Sequence, residues 1–283
     1  MRQKLLLCTD LDRTLLPNGK QPESGNARDV FRRLALQPQL TLAYVTGRHR
    51  TLVERVIKLY RLPVPDFVIA DVGTTIYRIE EGSWQRIQQW DDEIADGWEG
   101  MSHADLKSLF NDMKELRLQE SSKQNIHKLS YYVSLKIDHD ALIAAMKSRL
   151  DKKGIRASLI RSVDESADIG LLDVLPAGAD KRHAIEFLMY NHGFHLGNTV
   201  FAGDSGNDFP VLVSPIRSVL VANASESVKA DARKQSDEAG FGYALYIAHG
   251  DFHEMNGNYS AGILEGVVHY MPEVEQWLNP ATS

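Results

Sequence analysis

The stretch that most limits the possible folds is Leu5-Leu6-Leu7-Cys8-Thr9-Asp10-Leu11-Asp12-Arg13-Thr14. The apolar run, Leu5 to Cys8, predicts a short strand buried on both faces, as in a parallel sheet. Polar residues at the carboxyl end of such a strand reach the crevice where open α/β sheets bind ligands. Two carboxylates in that place, Asp10 and Asp12, repel each other unless a cation sits between them. A hard, oxygen-seeking Mg²⁺ suits the role, and such ions usually travel with substrate phosphates.

The chain beyond repeats this grammar. A helix is expected from about Ala27 to Leu36, then a solid strand, Leu40 to Val45, ended by Thr46-Gly47-Arg48. A second helix, about Thr51 to Tyr60, leads to the strand Phe67-Val68-Ile69-Ala70 and the turn Asp71-Val72-Gly73-Thr74-Thr75. Strand, helix, strand, helix, strand is the order of a doubly wound, mostly parallel, Rossmann-like α/β core. After Glu80-Glu81-Gly82-Ser83 the pattern changes to longer polar helices and alternating strands such as Lys128 to Leu135. Alternation of that kind belongs to a half-exposed antiparallel sheet, so an α+β insert is expected here. The core pattern resumes with a helix opened by Lys181, a strand Thr199 to Ala202 and the turn Gly203-Asp204-Ser205-Gly206-Asn207-Asp208. The expected division is residues 1–82, first half of the core; 83–176, the α+β insert; and 177–283, second half of the core. Trp84, Trp90 and Trp98 are expected in the core of the insert.

Composition removes several function classes. With a formal charge of −6, the chain is poorly suited to nucleic acid or an anionic membrane as its main partner. No stretch approaches the roughly 18 apolar residues of a membrane span. The N-terminus leads into too few apolar residues for a secretion signal. The one cysteine, Cys8, excludes an internal disulfide framework and any Cys-cluster zinc site. A cytoplasmic location is expected. No G-x-G-x-x-G follows the first strand, which counts against dinucleotide binding.

Parallel strands of one sheet put their carboxyl ends on one edge, so Asp10 and Asp12, Thr46, and Asp204 and Asp208 can meet there with Lys181. That set holds the parts for phosphoryl transfer: a carboxylate nucleophile, a nearby acid/base, a cation for the phosphoryl oxygens and carboxylates for a metal. Thr46 and the N–H groups beside Gly47 can hold phosphate oxygens. Lys181 at a helix start is disfavoured by the helix dipole, and a buried phosphate and aspartate pair would compensate. In the insert, Lys128, Ser130 and Tyr131 offer donors and an aromatic face to a hydroxyl-rich ligand, with His127 beside them.

Asp10-Leu11-Asp12-Arg13-Thr14, Thr46-Gly47-Arg48, Lys181 and Gly203-Asp204-Ser205-Gly206-Asn207-Asp208 resemble the four motifs of the haloacid-dehalogenase-like hydrolase superfamily. The insert between the second and third motifs resembles its C2-type cap, which implies a role for residues 83–176 in substrate specificity. More narrowly, Ala43 to Arg48, Asp71 to Tyr77, Lys128 to Tyr132, Asp173 to Pro176 and Ser260 to Glu265 are similar to sucrose-6-phosphate phosphatases. The resemblance implies that Asp10 attacks phosphorus and that Asp12 serves as acid and then base. It implies that Thr46, the Gly47 N–H and Lys181 hold the phosphoryl oxygens, with Asn207 steadying Lys181. It implies Mg²⁺ as cofactor, bound by Asp10, Asp204 and the Asp12 backbone carbonyl, with Asp208 ligating it or holding its waters. Thr74 falls at a substrate-facing position, although Thr74-Thr75 departs from the Ser-Glu-like pair expected in those phosphatases.

The function expected is Mg²⁺-dependent hydrolysis of a disaccharide phosphate, with sucrose 6-phosphate first among substrates. Mannosylfructose phosphate, glucosylglycerate phosphate and the phosphomannomutase reaction are the enzymatic alternatives. The non-enzymatic alternative is a phosphatase-like module that binds a sugar-phosphate synthase.

Overall fold

The computed structural model describes residues 4–164 and 167–278. Twelve strands are described. In chain order they are β1 (Leu5–Thr9), β2 (Leu40–Val45), β3 (Phe67–Ala70), β4 (Thr75–Glu80), β5 (Ser83–Arg86), β6 (Arg117–Leu118), β7 (Leu129–Val133), β8 (Ala157–Asp164), β9 (Ile169–Pro176), β10 (Thr199–Gly203), β11 (Arg217–Leu220) and β12 (Leu245–Ile247). Eight of them form one sheet in the order β12-β11-β10-β1-β2-β3-β4-β5. From β12 to β3 every pairing is parallel, and β4 and β5 close the edge as antiparallel strands.

All five residues of β1 are buried, because β10 and β2 flank it and helices cover both faces. Its side chains alternate between two hydrophobic layers. Leu5 and Leu7 join Phe31, Leu34 and Val267 on one side, and Leu6 and Cys8 join Ile185, Leu188 and Phe201 on the other. Each buried leucine contributes roughly 2 kcal/mol of apolar transfer energy. That layering accounts for the solid, non-alternating run in the sequence.

The other four strands form a small antiparallel sheet in the order β6-β7-β9-β8. Trp98, Leu106, Phe110, Leu129, Tyr131, Met146 and Val174 form its separate core, on the side covered by the helices His103–Leu109 and His139–Asp151. Ser102 starts the first of these helices with a capping box to Asp105. The α/β core with a small antiparallel cap sheet is the expected fold class.

The expected boundary at residue 83 requires correction. β5 belongs to the large sheet, Trp84 packs against the layer containing Tyr44, and Trp90 and Ile94 lie in the layer containing Cys8. Glu81 and Gly82 both adopt positive φ, so the break read at Glu80–Ser83 is a two-residue hairpin turn within the core. Only Trp98 of the three tryptophans lies in the small core. The chain crosses near Gly97, where the Arg156 N–H donates to the Gly97 carbonyl and the Ala177 N–H donates to the Arg156 carbonyl. A Cβ on Gly97 would stand 2.7 Å from the Ala177 nitrogen, so the outgoing and returning segments touch there.

Candidate active site

The site forms where the parallel strands end. Asp10 follows β1, Thr46 follows β2, Asp204 follows β10, and Lys181 opens the helix Lys181–His192. The Asp10 N–H donates to the Ala202 carbonyl, extending the β1–β10 ladder by one residue and aiming the side chain off the sheet edge. Lys181 is 1% exposed, and its Nζ donates to Asp10 Oδ1 at 3.0 Å and to Asp208 Oδ1 at 2.7 Å. Asn207 Oδ1 lies 3.4 Å away as a third acceptor. A buried ammonium between two buried carboxylates compensates a charge that would otherwise cost several kcal/mol to desolvate. Burial pulls the Lys181 pKa down, but Asp10 and Asp208 outweigh it and raise the net value, so the side chain is a fixed cation.

Asp10, Asp204 and Asp208 each bring one oxygen within 4.8 Å of the others, all three residues being buried. Burial, with repulsion from the other two carboxylates, pushes Asp10 up to about 8. Burial and the Asp208 charge push Asp204 up to about 7. Thr14 donates to Asp204 Oδ1 at 3.2 Å, and Arg13 Nε lies 3.6 Å from its other oxygen. Asp208 is anchored further: its Oδ2 accepts the N–H groups of Asp204 and Ser205. A Cβ at Gly203 would stand 2.5 Å from that oxygen, which accounts for the glycine. An all-oxygen donor set, buried and short of positive charge, fits a hard divalent cation such as Mg²⁺.

The Asp12 side chain lies outside that cluster. Arg48 binds it with two hydrogen bonds of 2.6 Å, and Asn18 Nδ2 donates to it at 2.7 Å. Burial raises its pKa, but these donors and the Arg48 charge outweigh burial and the net shift is downward. The backbone just after Asp12 is held as well. The Arg13 N–H donates to Asn18 Oδ1 at 2.8 Å, and Asn223 Nδ2 donates to the Arg13 carbonyl. Arg13 has φ of 58°, a conformation that these two asparagines maintain.

Thr46 is buried beside this edge and accepts the Arg48 N–H, while Gly47 is exposed and lines the cleft to the small sheet. That cleft has a volume of about 240 Å³. Lys128, Lys123, Gln119 and Asp173 line it from the cap, and Gly47, Arg48, Asp71 and Asn207 from the core. Of the four expected sugar contacts, Lys128 alone lines it. Ser130 is fully buried behind the lining and donates to Asp173 Oδ1 at 2.5 Å. Thr74 is also fully buried, donating to the Asp71 carbonyl and accepting from Asn125.

Tyr131 requires correction. It lies in the cap core, edge-on to Phe110 at 6.4 Å. Side chains on a strand alternate, so Lys128 and Ser130 take one face and Leu129, Tyr131 and Val133 the other. His127 stacks edge-on against Trp98. Sequence reading missed Arg48, Asn18, Asn223 and Asp71. Arg48 was visible as the residue after Thr46-Gly47 and Asp71 as the polar residue after the solid strand Phe67–Ala70, whereas Asn18 and Asn223 carry no local signal.

Fold and site together define a phosphatase of the haloacid-dehalogenase-like hydrolases. Residues 3–271 match the sucrose-6F-phosphate phosphohydrolase family, and the chain belongs to it. A HAD-like hydrolase of Nitrosococcus oceani is 51% identical over 278 residues, covering 98% of this chain and 75% of that one. A mannosylfructose-phosphate phosphatase of Agrobacterium fabrum is 26% identical, covering 95% of this chain and 98% of that one. The chain spans about half the length of the plant sucrose-phosphatases it matches, such as that of Nicotiana tabacum, 30% identical over 230 residues. The solved sucrose-phosphatase of Synechocystis sp. PCC6803, in complex with sucrose and phosphate, has the same fold. Its TM-score is 0.73 at 24% identity, covering 95% of this chain and 98% of that one. Among the described residues no helix is long and apolar enough to cross a membrane.

Proposed function

We propose that this chain is a Mg²⁺-dependent phosphomonoesterase that hydrolyses a disaccharide phosphate, sucrose 6-phosphate first among candidates. The carrying observation is the buried Lys181 bridging Asp10 and Asp208 beside Asp204. Asp10, Asp204, Asp208 and the Asp12 carbonyl would hold the metal, which when bound supplies positive charge against the phosphoryl oxygens and the crowded carboxylates.

An Asp10 carboxylate oxygen attacks phosphorus, and the phosphorus–oxygen bond to the sugar breaks. Asp12 donates a proton to the departing sugar oxygen, so the sugar leaves as an alcohol and Asp10 carries an acyl phosphate. Asp12, now a carboxylate, takes a proton from water as that water attacks the same phosphorus. The bond to Asp10 breaks, and inorganic phosphate is released. Lys181, Thr46 and the Gly47 N–H hold the phosphoryl oxygens through both steps, and Asn207 steadies Lys181. The Arg48 and Asn18 bonds hold Asp12 ionised in the state described, so Asp12 takes up its proton only when those contacts loosen. The small sheet acts as the substrate-selecting cap, with Lys128 as a sugar contact and Ser130 acting through Asp173.

Purified protein with Mg²⁺ and sucrose 6-phosphate is expected to release phosphate, and Asp10→Asn to cut that rate on the order of 10⁴-fold or more. Full activity in the variant would remove Asp10 as nucleophile. Mannosylfructose phosphate is the second substrate reading, favoured by the near full-length match to the Agrobacterium fabrum phosphatase. Comparison of kcat/KM on the two substrates decides between them. A sugar-phosphate synthase is the partner class we assign. Its support is a glucosylglycerol-phosphate synthase of Pseudomonas anguilliseptica, 27% identical over 94% of this chain and 31% of that one. Acceleration of phosphate release in a mixture with such a synthase tests the pairing. A cytoplasmic location accords with one cysteine, Cys8, buried in β1.

A further inference from the structure

Asp71 is a buried carboxylate that the proposed reaction does not use. It leaves β3 at the core side of the cleft, 7% exposed, and lines the same 240 Å³ space as Lys128, Asp173 and Asn207. Its nearest cation is Lys128 of the cap, with Nζ 3.9 Å from Oδ1, and both side chains are about nine-tenths buried. That separation exceeds a hydrogen bond, so the two charges face each other without closing on one another.

The backbone that presents Asp71 is strained. Asp71, Val72 and Gly73 have φ of 53°, 63° and 97°, three successive left-handed residues. A β-branched residue such as Val72 rarely adopts this region, and strain of this kind persists where the surroundings over-determine it. Here they do. The Asp71 N–H donates to the Arg48 carbonyl, the Val72 N–H donates to the Thr46 carbonyl, and the Gly73 carbonyl accepts the Trp90 indole N–H. A Cβ at Gly73 would stand 2.5 Å from the Asp180 carbonyl carbon, so the residue before Lys181 presses on the turn as well. The turn is thus tied to the segment after β2 and to the start of the Lys181 helix, both of which carry proposed phosphate contacts.

Resting on the sugar-phosphatase reading, we propose that Asp71 is a specificity-determining residue, accepting hydrogen bonds from hydroxyls of the sugar beside the phosphate. A carboxylate offers two oxygens to hydroxyl donors, and Lys128 offers donors to hydroxyl oxygens from the opposite wall. The substrate's hydroxyls fill the gap between the two charges and join core to cap, so this pair also favours the closed cleft. Burial pushes the Asp71 pKa up, with Lys128, His49 and an Asn125 hydrogen bond pulling it back. An acceptor with that much desolvation already complete loses little more when a sugar displaces the remaining water.

Asp71→Asn tests this, because Asn is tolerated in left-handed backbone and preserves the side-chain shape. The expected result is a KM for the sugar phosphate raised about ten-fold or more, the scale of a hydrogen bond to a charged group. The kcat/KM on p-nitrophenyl phosphate, which has no sugar hydroxyls, is expected to stay within about two-fold. Asp71→Ala is expected to raise the sugar-phosphate KM at least as far. An equal fall on both substrates overturns the proposal, as does an unchanged KM. A wild-type enzyme active on p-nitrophenyl phosphate but on no sugar phosphate overturns it too. Failure of the wild type to release phosphate from both p-nitrophenyl phosphate and every sugar phosphate with Mg²⁺ sinks instead the phosphatase reading on which it rests.

Discussion

The two sheets carry their polar residues in opposite ways. In the parallel strands of the large sheet most positions are apolar, and the polar residues of the candidate site sit just past the strand ends, at Asp10, Thr46 and Asp204. In the small sheet, the polar residues lie along the strand faces, with Lys128 and Ser130 directed to one side and Tyr131 to the other. Parallel topology collects strand ends on one edge, so a polar residue following a buried strand is placed by connectivity alone. An antiparallel sheet with one covered face places a polar side chain by its parity, and a one-residue error sends it into the core. On the proposed reading, the core edge is the fixed reacting centre and the cap face is the surface that alternation tunes for ligands.

Next to Asp10→Asn, the largest expected effect attacks the same edge. Lys181→Met removes the ammonium between Asp10 and Asp208, and kcat is expected to fall by about 10²–10³-fold, as for loss of one oriented charge stabiliser. The melting temperature without metal is expected to drop as well, because two buried carboxylates lose their partner. Retained turnover in a folded variant would show that the edge does not act through that cation.

Metal and pH probe the same carboxylates. In the metal-free protein Asp10 is pushed up to about 8 and Asp204 to about 7, whereas the unfolded chain titrates near the ordinary carboxylate value of about 4. The native state then keeps protons that the unfolded chain has already released, so stability falls as pH rises from about 4 towards 8. Melting of the metal-free protein is expected at lower temperature at about pH 8 than at about pH 5. On the Mg²⁺ reading the ion has to displace those protons, so its affinity is expected to rise across that window and its stabilising effect to be greater at the alkaline end. A metal-free melting temperature independent of pH would contradict the raised values.

The smallest effects sharpen the contrast on the cap. Lys128→Met is expected to raise the KM for the sugar phosphate about ten-fold with kcat little changed, since it removes a charged hydrogen bond from binding. Tyr131→Phe, on the opposite face, is expected to leave KM within about two-fold. A reversal of these outcomes would invert the assigned faces of β7.

Much of the core was legible because one kind of signal, the solid apolar strand with a polar end, recurs at Leu5–Asp12, Leu40–Thr46 and Thr199–Asp204. The cap was legible as a change of pattern but not at its limits. The Glu81-Gly82 turn suggested a boundary, yet β5 pairs with β4 and Trp84 and Trp90 pack into the core. A hairpin turn inside a sheet and a turn between domains use the same residues, and only the packing of the next segment separates them. Arg48, Asn18 and Asn223 act on Asp12 and its loop from 36, 6 and 210 residues away, the last counted from Arg13. Such partners leave no spacing rule to read.

By itself the amino-acid sequence determined the doubly wound core and which carboxylates and lysine gather at its strand-end edge. Burial on both faces and strand-end placement are local properties of a chain, so they can be read from its order. Tertiary structure alone decided which face of β7 meets the cleft, that Thr74 is buried in a core-to-cap hydrogen bond, and that Asp71 stands opposite Lys128. Those outcomes depend on how one sheet is laid over another, and the energy that settles them comes from contacts between residues far apart in the chain.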